Sequence, residues 1–202
     1  MAAMSETAIL ILAAGASARM GGRDKLLEPV AGRALLRRQV EAALATGAPV
    51  VVTLPPGADA RRAALAGLAL RCVEVPDAAE GMAASLRAGV AALPADADAV
   101  MVVLADMPEI GAAALAAMLK AGHAAPGAIL RATAPDGTPG HPVIFPRRLF
   151  PELGRLSGDR GARDILKAQA GRVVAVPLPG DQALTDLDTP EDWAAWRAKT
   201  GL

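Results

Sequence analysis

Strand-sized apolar runs alternate with Ala- and Leu-rich stretches of helical period along almost the whole chain, and this alternation constrains the fold more than any other feature. Ala8 to Ala13 reads as a buried strand. Val50 to Thr53 reads as a second, cut off by Pro55 and Pro56, and Leu70 to Val75 as a third. A fourth, Ala99 to Leu104, carries the β-branched Val100, Val102 and Val103. Helices are expected over Leu35 to Ala45, Asp59 to Ala66, Met82 to Leu93 and Ala112 to Ala121. Further on, short strands at Ala128 to Ala132, Pro142 to Phe145 and Val173 to Val176 accompany helices at Arg163 to Gln169 and Glu191 to Lys199. Strands linked by helices require right-handed crossovers, hence a mainly parallel sheet covered on both faces. The regularity breaks between Thr133 and Pro146, where two strands stand close together, so an antiparallel excursion or an edge strand is expected there. The 202 residues suit one domain, 1–202, and can bury a substantial core.

Composition narrows the possible ligands. Hydrophobic residues make up 53%, much of it Ala, and the apolar run around Val100 to Leu104 stops at Asp106, too short to span a bilayer. Met1 to Ala8 lacks the layout of a secretory signal, so the cytoplasm is the expected compartment. The single Cys72 rules out an internal disulfide and reads as a small core hydrophobe. Lys plus Arg equals Asp plus Glu at 21 each, and the aromatic content of 2% includes no Tyr. A nucleic-acid partner would call for a basic groove and stacking rings. Neither nucleic acid nor a membrane is therefore an expected partner, while local basic clusters suit a small anion.

Ligands of open α/β sheets sit beyond the carboxyl ends of the strands. The first such segment is Leu12-Ala13-Ala14-Gly15-Ala16-Ser17-Ala18-Arg19-Met20-Gly21-Gly22-Arg23-Asp24-Lys25. Gly15, Gly21 and Gly22 let backbone amides close on an anion, and Arg19 and Lys25 add positive charge. The set fits a triphosphate. It matches neither the Walker loop nor the dinucleotide Gly-x-Gly-x-x-Gly, and a Gly-rich turn with surface charges is the competing reading.

Two acids follow strand or loop ends. Asp106, in Ala105-Asp106-Met107-Pro108, stands where the fourth strand stops. Asp188 lies in Thr185-Asp186-Leu187-Asp188-Thr189-Pro190, ahead of the last helix, with Asp186 in reserve. Mg²⁺ favours one or two carboxylates with phosphate oxygens and water. Turn formation by Asp106 and helix capping by Asp188 are the alternatives. Three other strings stand at segment boundaries: Gly81-Met82-Ala83-Ala84-Ser85-Leu86, Pro139-Gly140-His141-Pro142, and Gly158-Asp159-Arg160-Gly161-Ala162-Arg163. His123 reads as structural.

Together these strings resemble the MobA-like nucleotidyltransferases, from Ile9 to Trp193. Leu12-Ala13-Ala14-Gly15 is similar to the loop of molybdenum cofactor cytidylyltransferases, whereas Gly21-Gly22-Arg23-Asp24-Lys25 resembles that of the guanylyltransferases. The resemblance implies a three-layer α/β/α Rossmann-like nucleotidyltransferase (GT-A-like) fold with a mostly parallel mixed sheet. It implies transfer of CMP from CTP, or of GMP from GTP, to the phosphate of a molybdopterin-type acceptor. Carried over by position, it implies nucleotide binding by Leu12, Ala13, Ala14, Gly15, Ser17, Arg19, Met20, Gly21, Lys25, Gly81, Met82, Ser85 and Asp106. Lys25, Arg19 and Asp106 become the catalytic candidates. Asp106 and Asp188 become ligands of Mg²⁺, or of Mn²⁺ in its place. His141, Gly158, Asp159, Gly161 and Arg163 fall to the acceptor. A sugar- or polyol-phosphate acceptor and a non-catalytic cofactor chaperone remain alternatives, and transient contact with a receiving molybdoenzyme or its chaperone is implied.

Overall fold

The expected strands assemble into a seven-stranded sheet in a computed structural model that describes residues 6–158 and 161–202. In chain order the strands are β1 (Thr7–Leu12), the short ribbon β2 (Pro29–Val30) and β3 (Arg33–Ala34), β4 (Val50–Leu54), β5 (Arg71–Glu74), β6 (Ala99–Leu104), β7 (Ile129–Thr133), β8 (Pro139–Pro146) and β9 (Val173–Pro177). The helices are α1 (Leu35–Leu44), α2 (Asp59–Ala64), α3 (Met82–Ala91), α4 (Ala112–Ala124), α5 (Phe150–Leu153), α6 (Arg163–Ala168) and α7 (Pro190–Thr200). The large sheet has the order β5-β4-β1-β6-β8-β7-β9. Only β8 runs against its neighbours. The antiparallel excursion is thus present, but it is an interior strand between β6 and β7 rather than an edge.

Period-two alternation sorts the sheet's side chains into two cores. Ile9, Ile11, Met101 and Val103 face α1 and α4, burying against Leu36, Val40, Leu115 and Met118. Leu10, Val51, Val100 and Val102 face the other way, against Leu86 of α3, Leu153 of α5 and Ile165 of α6. This is the three-layer α/β/α arrangement, with Rossmann-like parallel crossovers and one reversed strand. Cys72 departs from expectation. It lies on β5, an edge strand of the sheet, and it is exposed. Among the described residues no helix is long and apolar enough to cross a membrane.

Three backbone links bring remote segments to one place. Leu12 and Leu104 are in register on the parallel pair β1 and β6, so the loops that follow them emerge side by side. The Ala105 amide donates to the Leu12 carbonyl at 3.2 Å. The Leu187 amide donates to the Asp106 carbonyl at 3.1 Å, tying the segment before α7 to the end of β6. Trp193 and Trp196 of α7 anchor that segment from below, packed with Met20, Val30, Leu35 and Leu187, with their rings edge to face at 6.1 Å.

Candidate active site

The loop after β1 is held in shape by a residue that sequence reasoning assigned only to a helix. Arg61 of α2 is nearly enclosed, its side chain 6% exposed. Its Nε and Nη2 donate to both oxygens of Asp24 at 2.6 and 2.9 Å, and its Nη1 donates to the Ala13 carbonyl at 2.6 Å. Asp24 also accepts from the Leu26 amide at 3.0 Å and from the Ser17 hydroxyl at 3.2 Å. Ser17 Oγ in turn accepts from the Lys25 amide at 3.3 Å. The two ends of the loop, Ala13 and Asp24, therefore close on one guanidinium whose planar fork matches a carboxylate. No local pattern announces this, because Arg61 and Asp24 are 37 residues apart.

Lys25, at the end of this network, points its ammonium between the two acids. Nζ lies 2.5 Å from Asp106 Oδ2 and 2.5 Å from Asp188 Oδ1, and Arg19 Nη2 lies 2.5 Å from Asp188 Oδ2. Lys25, Asp106 and Asp188 are 13%, 19% and 22% exposed, whereas Arg19 reaches into solvent. Burial works against the Lys25 charge, yet the charges and hydrogen bonds of Asp106 and Asp188 hold its pKa above the ordinary lysine value. Burial, followed by the nearby Asp106 and Asp188 carboxylates, pushes Asp186 above the ordinary aspartate value. Helix capping does not occupy Asp188. Thr189 and Asp192 form the capping box of α7, and Asp192 also accepts from the Asp188 amide, which leaves the Asp188 side chain to Lys25 and Arg19.

This cluster lies at one side of a cavity of about 460 Å³. Of the expected nucleotide-binding set, Leu12, Ala13, Ala14, Gly15, Arg19, Lys25, Gly81, Met82, Ser85 and Asp106 line it. Ala16, Leu26, Ala78, Ala79 and Leu104 also line it and were not anticipated. A methyl group on Gly15 would meet nothing within 4 Å, so the backbone there is open to a ligand. Gly81 caps α3 at φ 108°, a conformation that side chains resist, and this presents the helix start to the cavity. Three expected residues lie elsewhere. Ser17 is spent on the Asp24 network, and Gly21 turns the chain at φ 60° behind the loop. Met20 is a correction in kind: it is 1% exposed and packs with the Trp193 cluster, because the turn at Ala18–Met20 drives its side chain inward.

The expected acceptor residues divide similarly. His141, Arg163 and Met82 line an adjoining hollow of about 120 Å³. Gly161, at φ 55°, lies so close to Met82 that a methyl group there would come within 2.7 Å of its sulfur. Gly158 instead braces α3, its carbonyl accepting from the Ala83 amide at 3.3 Å. Asp159 lies outside the described residues. Burial, then the Arg131 charge, depresses His141 to a pKa of about 4, partly opposed by Asp106. A histidine depressed below its unfolded value of 6.5 binds fewer protons folded than unfolded, so it costs stability as pH falls from 6.5 toward 4. His141→Asn is expected to lose less stability over that window than the native chain, as read by denaturant unfolding at pH 7 and pH 4.5. Equal losses would show that His141 does not titrate this way.

Comparison with known proteins places the fold in a family. The model of the MobA-like NTP transferase domain matches residues 9–173. A protein named nicotine blue oxidoreductase from Paenarthrobacter nicotinovorans is 31% identical over 190 residues, covering 90% of this chain and 92% of its own length. The crystal structure of Rv0371c from Mycobacterium tuberculosis H37Rv superposes with a TM-score of 0.83 at 30% identity, covering 96% of this chain and 98% of that one. A second structure of Rv0371c, a complex with manganese, superposes with a TM-score of 0.79 at 29% identity, covering 94% and 97%. With the family model spanning most of its length, the chain belongs to the MobA-like NTP transferase family and is a nucleotidyltransferase.

Proposed function

We propose that the chain transfers CMP from CTP to the terminal phosphate of a molybdenum-carrying molybdopterin, giving a cytosine dinucleotide cofactor and pyrophosphate, in the cytoplasm. The convergence of Asp106 and Asp188 on Lys25 beside the Gly-rich loop carries this reading. An acceptor phosphate oxygen attacks the α-phosphorus, and the bond from that phosphorus to the bridging oxygen breaks. Pyrophosphate leaves with that electron pair. The nucleophile's second pKa is about 6, so it is largely dianionic at neutral pH and requires alignment and charge neutralisation rather than a base. His141, half-buried and held at a pKa of about 4, is accordingly given no role as a base in this scheme.

Lys25 and Arg19, with the loop amides, hold the triphosphate and the departing pyrophosphate. The acids fit a divalent cation. Asp106 and Asp188 flank Lys25 Nζ, and among the described residues Asp106 Oδ1 is buried with no hydrogen-bond partner. Asp106 and Asp188 would hold Mg²⁺, which supplies charge neutralisation to the reacting phosphates. That Rv0371c has a structure in complex with manganese supports a divalent ion as cofactor. Leu12-Ala13-Ala14-Gly15, with its likeness to the cytidylyltransferase loop, supports CTP over GTP.

The test measures pyrophosphate release from CTP, GTP, ATP and UTP, with Mg²⁺ and molybdenum-loaded molybdopterin. Turnover with CTP well above the others is expected. Preference for GTP would make the chain a guanylyltransferase, and binding without release would make it a cofactor chaperone. Reduction of a dye by a reduced nicotinamide nucleotide, with no pyrophosphate released, would place it with its oxidoreductase-named relative.

A further inference from the structure

Beyond His141, the sheet and α6 line a further hollow of about 400 Å³, of whose residues the sequence pointed to Arg163 alone. Arg131 of β7 and Arg163 and Lys167 of α6 line it, and among the described residues no acid does. The remainder of its wall is largely apolar, including Leu166, Val173 and Ala175. Arg131, Arg163 and Leu166 also line the small hollow that holds His141 and Met82, and Met82 lines the nucleotide cavity in turn. A connected path of cavity walls therefore runs from the nucleotide side to this basic end.

Arg131 Nε donates to the Gly140 carbonyl at 3.1 Å, and among the described residues neither Arg131, Arg163 nor Lys167 is paired with a carboxylate. Burial and the neighbouring Arg163 charge both depress Arg131, the expected consequence of two guanidiniums facing one space. In the adjoining hollow His141 Nδ1 is buried without a hydrogen-bond partner. Like charges around an apolar-walled space create a positive potential that an anion relieves, and guanidinium forks match the oxygens of a phosphate or carboxylate. The triphosphate does not supply this anion, since Lys25, Arg19 and the loop meet it in the other cavity.

We propose that Arg131, Arg163 and Lys167 form an oxyanion site that holds an anionic substituent of the acceptor, separate from the phosphate that reacts. Its assignment to the acceptor rests on the nucleotidyl-transfer reading above. The apolar wall covers the uncharged body of the acceptor while the cations hold its far end, which adds affinity for the acceptor.

The double variant Arg163→Gln/Lys167→Gln changes two exposed side chains and is expected to fold normally, as checked by thermal unfolding. Loss of two charge-assisted contacts is expected to raise the KM for molybdenum-loaded molybdopterin about tenfold or more, while the KM for CTP and the kcat stay within about twofold. A second arm needs no acceptor. Inorganic phosphate is titrated into the nucleotide-free protein while the NMR signal of the Arg131 Nε–H is followed. A saturable shift in the native protein, absent from the double variant, is expected. If the native protein turns over and the variant's acceptor KM is unchanged, the proposal is overturned, and a phosphate shift would then mark a site for free anions only. If the native protein does not turn over this acceptor, the functional reading fails, and the phosphate arm alone decides. A saturable shift lost in the variant keeps the oxyanion site, and no shift removes it.

Discussion

Asp106→Asn should lower kcat for pyrophosphate release by about 10³-fold at saturating CTP, because it removes one of the two carboxylates that would hold the cation neutralising the phosphate charge. The substitution keeps the shape of the side chain. Its backbone carbonyl still accepts from the Leu187 amide, so the link to the segment before α7 survives. Lys25 loses one of two carboxylate partners but keeps Asp188 at 2.5 Å. The loss is offset in part because Asp106 no longer repels Asp186 and Asp188, the interactions that push Asp186 upward. Melting temperature should therefore shift by only a few degrees while turnover collapses. Asp188→Asn should behave similarly if both acids serve one cation, and Asp186→Asn should cost far less. The measurement is steady-state pyrophosphate release beside thermal unfolding for all three. An Asp106→Asn enzyme within threefold of native activity would remove this carboxylate from the chemistry.

The contrast between Asp106 and Arg61 shows what a sequence of this kind reveals. Asp106 is legible because its position carries meaning: it is an acid two residues past the end of a β-branched strand, in a fold whose ligands gather at strand ends. The strands themselves are legible because burial on both faces demands continuous apolar runs, and Ile9 to Ile11 or Val100 to Val103 can do little else. Pairing is not legible in the same way. Nothing within Pro139–Pro146 says that β8 inserts between β6 and β7, since the partners that choose its place lie far off in the chain. Cys72 fails for a related reason: its apolar neighbours indicate a strand, but only the finished sheet order makes that strand an edge. Met20 sits in a loop of ligand-binding composition, yet α7 supplies Trp193 and Trp196 from the opposite end of the chain to bury it. The basic hollow is likewise assembled from separate elements: Arg163 stands in a string that the resemblance marks, but nothing local ties Arg131 of β7 or Lys167 to it.

Arg61→Ala should be the most damaging single change outside the acids, and it should injure stability and nucleotide binding by separable routes. Truncation leaves the Ala13 carbonyl without its buried donor and Asp24 without its cation. Breaking a fully buried pair by removing one member costs about 3–5 kcal/mol, and because Asp24 is 27% exposed the expected loss is about 2–3 kcal/mol. For a chain of this length that corresponds to a fall in melting temperature of about 5–10 °C. The loop also loses the clamp joining its two ends, so the KM for CTP should rise about tenfold or more as Lys25 and the loop amides lose their fixed positions. A double variant separates the effects. Arg61→Met with Asp24→Asn fills much of the same space and removes both charges, and paired apolar or neutral replacement of a buried ion pair is often close to neutral for stability. Melting temperature should therefore recover in the double variant while the CTP KM stays high, because the fork that drew Ala13 and Asp24 together is still missing. Recovery of both together would mean that Arg61 serves only the fold, and a native CTP KM in Arg61→Ala would show that the loop keeps its shape without it.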